Sequence, residues 1–239
     1  RNGLINGIMR NRKNVQTNTM SIYGGQTTKA YDGLGEGRNV ELNDKDLAIT
    51  RHGFESNIDD VGAEIEKSGL NIAYGDNYST GVSVNGVYPN DVDINKRDML
   101  CGRFLNALDI EQRRKTIVVS QGLAKELMPH APLNLNGRVV KVDNLAFTVV
   151  GIYDSDKSRM DNMAFIPFST LRSIYNSGDK TGNIVFSFHG LKTEEENEQF
   201  ETAYRARVNR NHMAAPDDEN SIWIWNRFTQ DLQLNTATD

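Results

Sequence analysis

The sequence predicts an α+β fold in two subdomains, with helix and strand mixed at both ends and strands crowding the middle. Three observations predict it. Short runs of alternating apolar residues, separated by turn residues, fill residues 91–179. The flanking segments, 38–90 and 180–228, mix strands with capped amphipathic helices. Finally, 239 residues suffice for two subdomains, and a compact chain of that size buries roughly 70–75% of its unfolded surface. With 38% hydrophobic and 25% charged residues and a mean hydropathy of −0.56, the composition is that of a folded chain rather than a disordered one.

Residues 1–37 form a polar opening rich in Gly, Asn, Thr and Lys, with a weak strand signal at 21–28 broken by Gly24 and Gly25. Gly33-Leu34-Gly35-Glu36-Gly37 reads as a turn, because a phosphate cradle needs a strand before the glycines and an apolar helix after them. Asn43 or Asp44 caps a helix to about His52, with Leu47, Ala48 and Arg51 turned inward. Residues 57–67 fit both periods: Ile58, Val61 and Ile65 have helical spacing, whereas Val61, Ala63 and Ile65 alternate. Residues 71–78 and 81–88 read as two strands joined by a polar turn.

Beyond Pro89-Asn90 come short strands at 116–120, 133–135, 138–142 and 146–153, with Asn136-Gly137 predicted to form a type I′ hairpin turn. A helix over 121–128 interrupts them, stopped by Pro129. A strand at 165–167 precedes a helix capped by Ser169 or Thr170 and running to Tyr175. The last third offers a strand at 183–189, then a capping box at Thr193 and Glu196. The helix behind it places Phe200, Ala203, Tyr204 and Val208 on one face. A turn at 217–220 leads to a closing strand, Ser221-Ile222-Trp223-Ile224-Trp225, and residues 229–239 form a polar tail.

Several function classes are disfavoured. The net charge is −5 and the basic residues are dispersed, with Arg10-Asn11-Arg12-Lys13 the densest group, so no nucleic-acid footprint is expected. The single cysteine, Cys101, has no partner for a disulfide or a zinc site and is expected as a buried small apolar residue. His52, His130, His189 and His212 share no ligand spacing, and no cofactor or metal site is expected. No nucleophile elbow or Walker A loop is present, so the expectation is a non-enzymatic chain. The acidic runs at 44–46, 59–60, 194–196 and 217–219 lack the order of a calcium loop, and three suit helix N-termini or a turn. No apolar run reaches the ~18–20 residues that span a bilayer. With Arg1 rather than Met in first place, the sequence is expected to be a piece of a longer protein.

Two residue pairs stand out. Arg103 and Asp109 are spaced to clamp a loop through a charge-assisted hydrogen bond, a structural role. Met160 and Met163 lie in the polar loop 154–163, where exposed methionines adapt to varied partner surfaces, and they are the candidate partner contacts.

Taken in order, Gly86-Val87-Tyr88-Pro89, Gly102-Arg103-Phe104-Leu105-Asn106, Asp109-Ile110, 115–120, 147–151 and 165–171 resemble the MacB-like periplasmic core domain of ABC transporter permeases. The resemblance covers roughly residues 15–235 and favours a strand at 57–67. It implies an α/β subdomain from residues 38–90 and 180–228, with a β-rich subdomain, 91–179, inserted. Residues 1–37 and 229–239 are then membrane-proximal segments, near helices of a permease seated in the cytoplasmic membrane. The implied partners are a second permease copy, a cytoplasmic ATP-binding partner or domain, and a periplasmic adaptor protein. The implied function is transmission of ATP-driven motion to the extracytoplasmic side for substrate export or release. The alternative is a stand-alone extracytoplasmic module binding a peptide, lipoprotein or small ligand.

Overall fold

The computed structural model describes residues 18–155, 162–175 and 177–238. In chain order the elements are β1 (Thr19–Gly24), α1 (Asp44–His52), β2 (Ile58–Tyr74), β3 (Asn77–Val87), α2 (Asp91–Ile94), β4 (Met99–Gly102), α3 (Ala107–Glu111), β5 (Thr116–Ser120) and α4 (Gln121–Leu127). A 3₁₀ turn (Pro132–Leu135) follows, then β6 (Val139–Val142), β7 (Leu145–Tyr153), β8 (Met163–Pro167), α5 (Phe168–Tyr175), β9 (Asn183–Phe188), α6 (Glu194–Asn211), β10 (Ile222–Asn226) and α7 (Arg227–Thr238). The chain divides into two compact units, residues 1–63 with 179–239, and residues 64–178.

In the first unit the strands run in the order β10-β1-β9-β2, with β1 antiparallel to both β10 and β9. Period-two alternation buries Met20, Ile22, Ile184, Phe186, Ile222 and Ile224 on one face. Phe200 and Tyr204 of α6 meet Phe186 there, with ring centroids 6.2 and 5.6 Å away. The Tyr204 hydroxyl is fully buried and pairs with Thr50 Oγ1 at 2.7 Å, which satisfies two polar groups that would otherwise cost stability. Asn43 caps α1 in a reciprocal box with Asp46, and the buried Asp46 carboxylate also takes His212 Nε2 at 2.6 Å and Asn211 Nδ2 at 2.8 Å. One acidic side chain therefore joins the start of α1 to the end of α6.

In the second unit the order is β2-β3-β8-β5-β7-β4, and β6 pairs with both β2 and β7. β5 is parallel to β7, and β8 is parallel to β3. β5 is buried along its whole length, which explains its uninterrupted Thr-Ile-Val-Val-Ser run. Leu123, Ala124 and Leu127 of α4 and Leu171 of α5 complete a core with Ile117, Val119, Phe147 and Ile152. At the β4–β7 crossing Gly102 has φ +69°, and a side chain on Gly102 or Gly151 would overlap the carbonyl oxygen of Val150 or Arg103. The two strands approach closely because both positions lack a Cβ.

The structure departs from several expectations. The division falls at residues 63 and 178, so the hairpin β2–β3 groups with the middle of the chain and not with the flanks up to residue 90. Its turn is Gly75-Asp76, and residues 79–80, expected as the turn, lie inside β3. Residues 133–135 are not a strand: Pro132 at the start of the segment favours the 3₁₀ turn. Asn136-Gly137 is accordingly no hairpin. Asn136 has φ −59° and ψ 130°, and Gly137 has φ +87°, the pattern of a type II turn. The type I′ residues are Asp143 and Asn144, at φ 43° and 72°, between β6 and β7. Ser169 and Thr170 do not cap α5. They lie in its first turn and donate to the carbonyls of Ile110 and Arg114. Ala48, Arg51 and Ala203, expected inward, are exposed; Asp46, Thr50, Asn197 and Asn209 take inward positions instead. The Thr193 hydroxyl accepts from Glu196 N as expected, while the Glu196 carboxylate returns to that hydroxyl. Cys101 is half-buried, and residues 227–238 form α7 where a polar tail was expected.

Candidate partner surfaces

Arg103 follows Gly102 at the end of β4, and Asp109 is the third residue of α3. Arg103 Nη1 donates to Asp109 Oδ2 at 2.6 Å and Nη2 to Asp109 Oδ1 at 3.2 Å. The same carboxylate accepts the Asn106 backbone N–H at 2.9 Å, completing the capping box of α3. Arg114 adds a second cation at 3.6 Å. Burial alone would raise the Asp109 carboxyl, but these donors and charges hold it below the usual carboxylate range. Asp109 is fully buried while Arg103 stays partly open, so the pair fixes a loop and offers no free acid to a substrate.

Met163 begins β8 and is half-buried against Val87, Phe104, Leu105, Val118, Tyr153 and Phe165. Its thioether therefore packs a core edge rather than standing free in a loop. Met160 lies outside the described residues. Beside that packing, Arg97 lies over Phe165 and Tyr153, 4.2 and 5.3 Å from the ring centroids, and its Nε donates to the buried Asp91 at 2.8 Å.

The first unit carries features that the sequence reading did not single out. Asp218, fully buried, accepts from Thr28 N, Thr28 Oγ1 and Lys29 N at 2.8–3.1 Å, so it holds the base of the 26–39 loop. At the tip of that loop Tyr31 and Leu34 bridge across Asp32 and Gly33, whose φ values are 51° and 78°. On β10 the isoleucines face the core, while Trp223 and Trp225 stand 66% and 46% exposed on the opposite face. Tyr23 lies beside Trp223, with ring centroids 6.1 Å apart. No sequence signal separated these indoles from the core, because both phases of Ile-Trp-Ile-Trp are apolar.

Among the described residues no group of three His, Cys, Asp or Glu side chains is placed to hold a metal ion, and no helix is long and apolar enough to cross a membrane. The His212–Asp46 contact joins two helix ends, and the His212 backbone N–H closes α6 on Val208 and Asn209. The surfaces carry exposed aromatic area and loops that buried carboxylates hold in place.

Fold and surfaces together define a class: a two-unit α+β domain. The sequence pattern of the MacB-like periplasmic core domain matches residues 2–206, and the chain belongs to that family. A relative from Campylobacter jejuni subsp. jejuni, the macrolide export ATP-binding/permease protein MacB, is 31% identical over 160 residues, covering 65% of this chain and 24% of that protein. The chain thus spans about a quarter of the length of that curated relative. Among solved structures, the periplasmic region of MacB from Actinobacillus actinomycetemcomitans has a TM-score of 0.71 at 19% identity, covering 94% of this chain and 96% of that one. The extracellular domain of the noncanonic ABC-type transporter YknZ from Gram-positive bacteria has a TM-score of 0.68 at 15% identity, covering 87% and 100%. These likenesses establish the fold of a MacB-like periplasmic domain.

Proposed function

We propose that this chain is the extracytoplasmic part of an ABC permease in the cytoplasmic membrane. In this reading it works as a dimer with a cytoplasmic ATP-binding partner or domain, and carries ATP-driven motion to the outer side for export or release of a substrate. The family match over residues 2–206 supports this most directly. The domain itself performs no bond chemistry; it offers packed units and aromatic or loop surfaces to an adaptor or a cargo. The physical logic is that a transmitting domain needs stiff units, and Asp109, Asp218 and Asp46 each hold a loop or a helix end by buried hydrogen bonds.

The test uses the full-length gene product in membranes. Paired fluorophores on exposed positions of the domain are expected to change distance when ATP is added. The change should vanish when the ATP-binding partner is made hydrolysis-deficient. A full-length product that is secreted free of the membrane would overturn the reading and leave a stand-alone binding module.

A further inference from the structure

Among the described residues β10 ends the first unit's sheet and pairs with β1 alone. In an antiparallel strand alternate backbone N–H and C=O groups face away from the paired neighbour. Exposed edges are normally blunted by charge, proline or a bulge. Ile222-Trp223-Ile224-Trp225-Asn226 contains no charged residue or proline, and its register against β1 runs without a break.

We infer that this edge receives the same edge of a second copy, the two β10 strands pairing antiparallel about a two-fold axis at Ile224. The inference rests on the permease reading, in which two copies share one assembly. About Ile224 the strand is symmetric in kind. Trp223 falls opposite the partner's Trp225, Trp225 opposite the partner's Trp223, and Ile224 opposite itself. Both aromatic pairs then lie on the open face and the isoleucines stay on the core face. A shift of one residue sets an open face against a core face. A shift of two leaves an indole opposite Ser221 or Arg227. A self-complementary contact of this kind is the isologous pattern of a two-fold dimer.

The exposed area also selects the occupant. A tryptophan offers up to ~250 Å²; at 66% and 46% exposure, the two give roughly 280 Å² per copy. Two copies together offer at most about 560 Å² of indole surface, well below the ~1,200 Å² of a stable interface between free proteins. A diffusing partner would gain too little from this edge. A second copy already held in the same membrane assembly acts at an effective concentration in the millimolar range, where so small a contact is enough.

The experiment uses the full-length protein in membranes, with two differently tagged copies in a Cys101→Ser background. One copy carries Trp223→Cys and the other Trp225→Cys. Both indoles are solvent-exposed, so neither substitution removes core packing. Under mild oxidation the mixed pair is expected to form a cross-tag disulfide at least about fivefold faster than either variant with itself. Directly opposite Cβ atoms lie ~4.5–5.5 Å apart and diagonal ones ~7–8 Å. Tags that co-purify without the mixed cross-link overturn the β10 pairing and leave the permease dimer standing. Equal rates in all combinations overturn the register, and tags that never co-purify overturn the dimer itself.

Discussion

Asp218 holds Thr28 across 190 positions of sequence, its Oδ2 accepting the Thr28 backbone N–H at 2.8 Å and its Oδ1 the Thr28 hydroxyl at 2.9 Å. Burial would raise this carboxyl, but the N–H groups of Thr28, Asn220 and Lys29 and the Thr28 hydroxyl hold it below the usual range. A carboxyl depressed by folding stabilises the fold above its unfolded value, near 3.8, and that contribution disappears as pH falls through the folded value. Asp218→Ala is expected to cost about 1–3 kcal/mol at pH 7, from the orphaned donors. The gap to the parent should narrow in melts at pH 3. The neighbouring Lys29–Asp217 pair is exposed on both sides, and Lys29→Ala is expected to leave the melting temperature unchanged.

The Asp109 carboxylate serves both Arg103 and the cap of α3, so its two losses separate. Arg103→Gln removes the ion pair, whose cation is partly solvated, together with the Nη1–H donated to the Phe104 carbonyl, and is expected to cost about 1 kcal/mol. Asp109→Ala also removes the acceptor of the Asn106 backbone N–H, the returning half of the α3 capping box, and is expected to cost about 2–4 kcal/mol. In urea melts of the single and double variants, a coupling near zero between the two sites would mean that the contact carries no stability.

Glu64 titrates the other way. Burial pushes its carboxyl up to about 7, the Asp91 carboxylate adds to the rise, and Arg97 opposes it. Between pH 4.5, its unfolded value, and about 7 the folded state keeps a proton that the unfolded chain releases. Stability from this group therefore falls as pH rises through that window. Glu64→Gln is expected to melt a few degrees above the parent at pH 8, with the advantage gone at pH 4.5. An equal difference at both pH values would show that Glu64 is not held protonated.

Gly151→Ala tests the close approach of β4 and β7. The added methyl would overlap the Arg103 carbonyl oxygen, and backbone cannot yield as a flexible side chain does. A loss of about 2 kcal/mol or more is expected by thermal melting. Gly35→Ala, with open space around it, is the control and should melt with the parent.

What was legible in the sequence was local chemistry. Asn43 and Thr193 announced α1 and α6 because a side-chain oxygen three residues before a matching N–H is a short-range device. Arg103 and Asp109 are six residues apart, close enough for their meeting to be read from a loop. Leu133 and Leu135 alternate as in a strand although Pro132 sets a 3₁₀ turn, and the hairpin's two positive-φ residues are Asp143-Asn144, a weaker local signal than Asn136-Gly137. Asp218 is legible only as part of the turn at 217–220, where it accepts the Asn220 N–H, since its Thr28 and Lys29 partners lie almost the length of the chain away. Met163 reads as a loop residue only when the strand is started at Phe165; the apolar run Met163-Ala164-Phe165-Ile166 belongs to β8 throughout.

Trp223 and Trp225 are the two tryptophans of the chain, and both sit on the open face of β10. Intrinsic emission excited at the red edge of protein absorption therefore comes from one strand of the first unit, from indoles that are partly exposed, Trp223 beside Tyr23. Melting of residues 64–178 is dark to that signal. A fluorescence trace and a circular-dichroism trace of the same sample thus observe different parts of the molecule, and their coincidence or separation reads out directly whether the two units unfold as one.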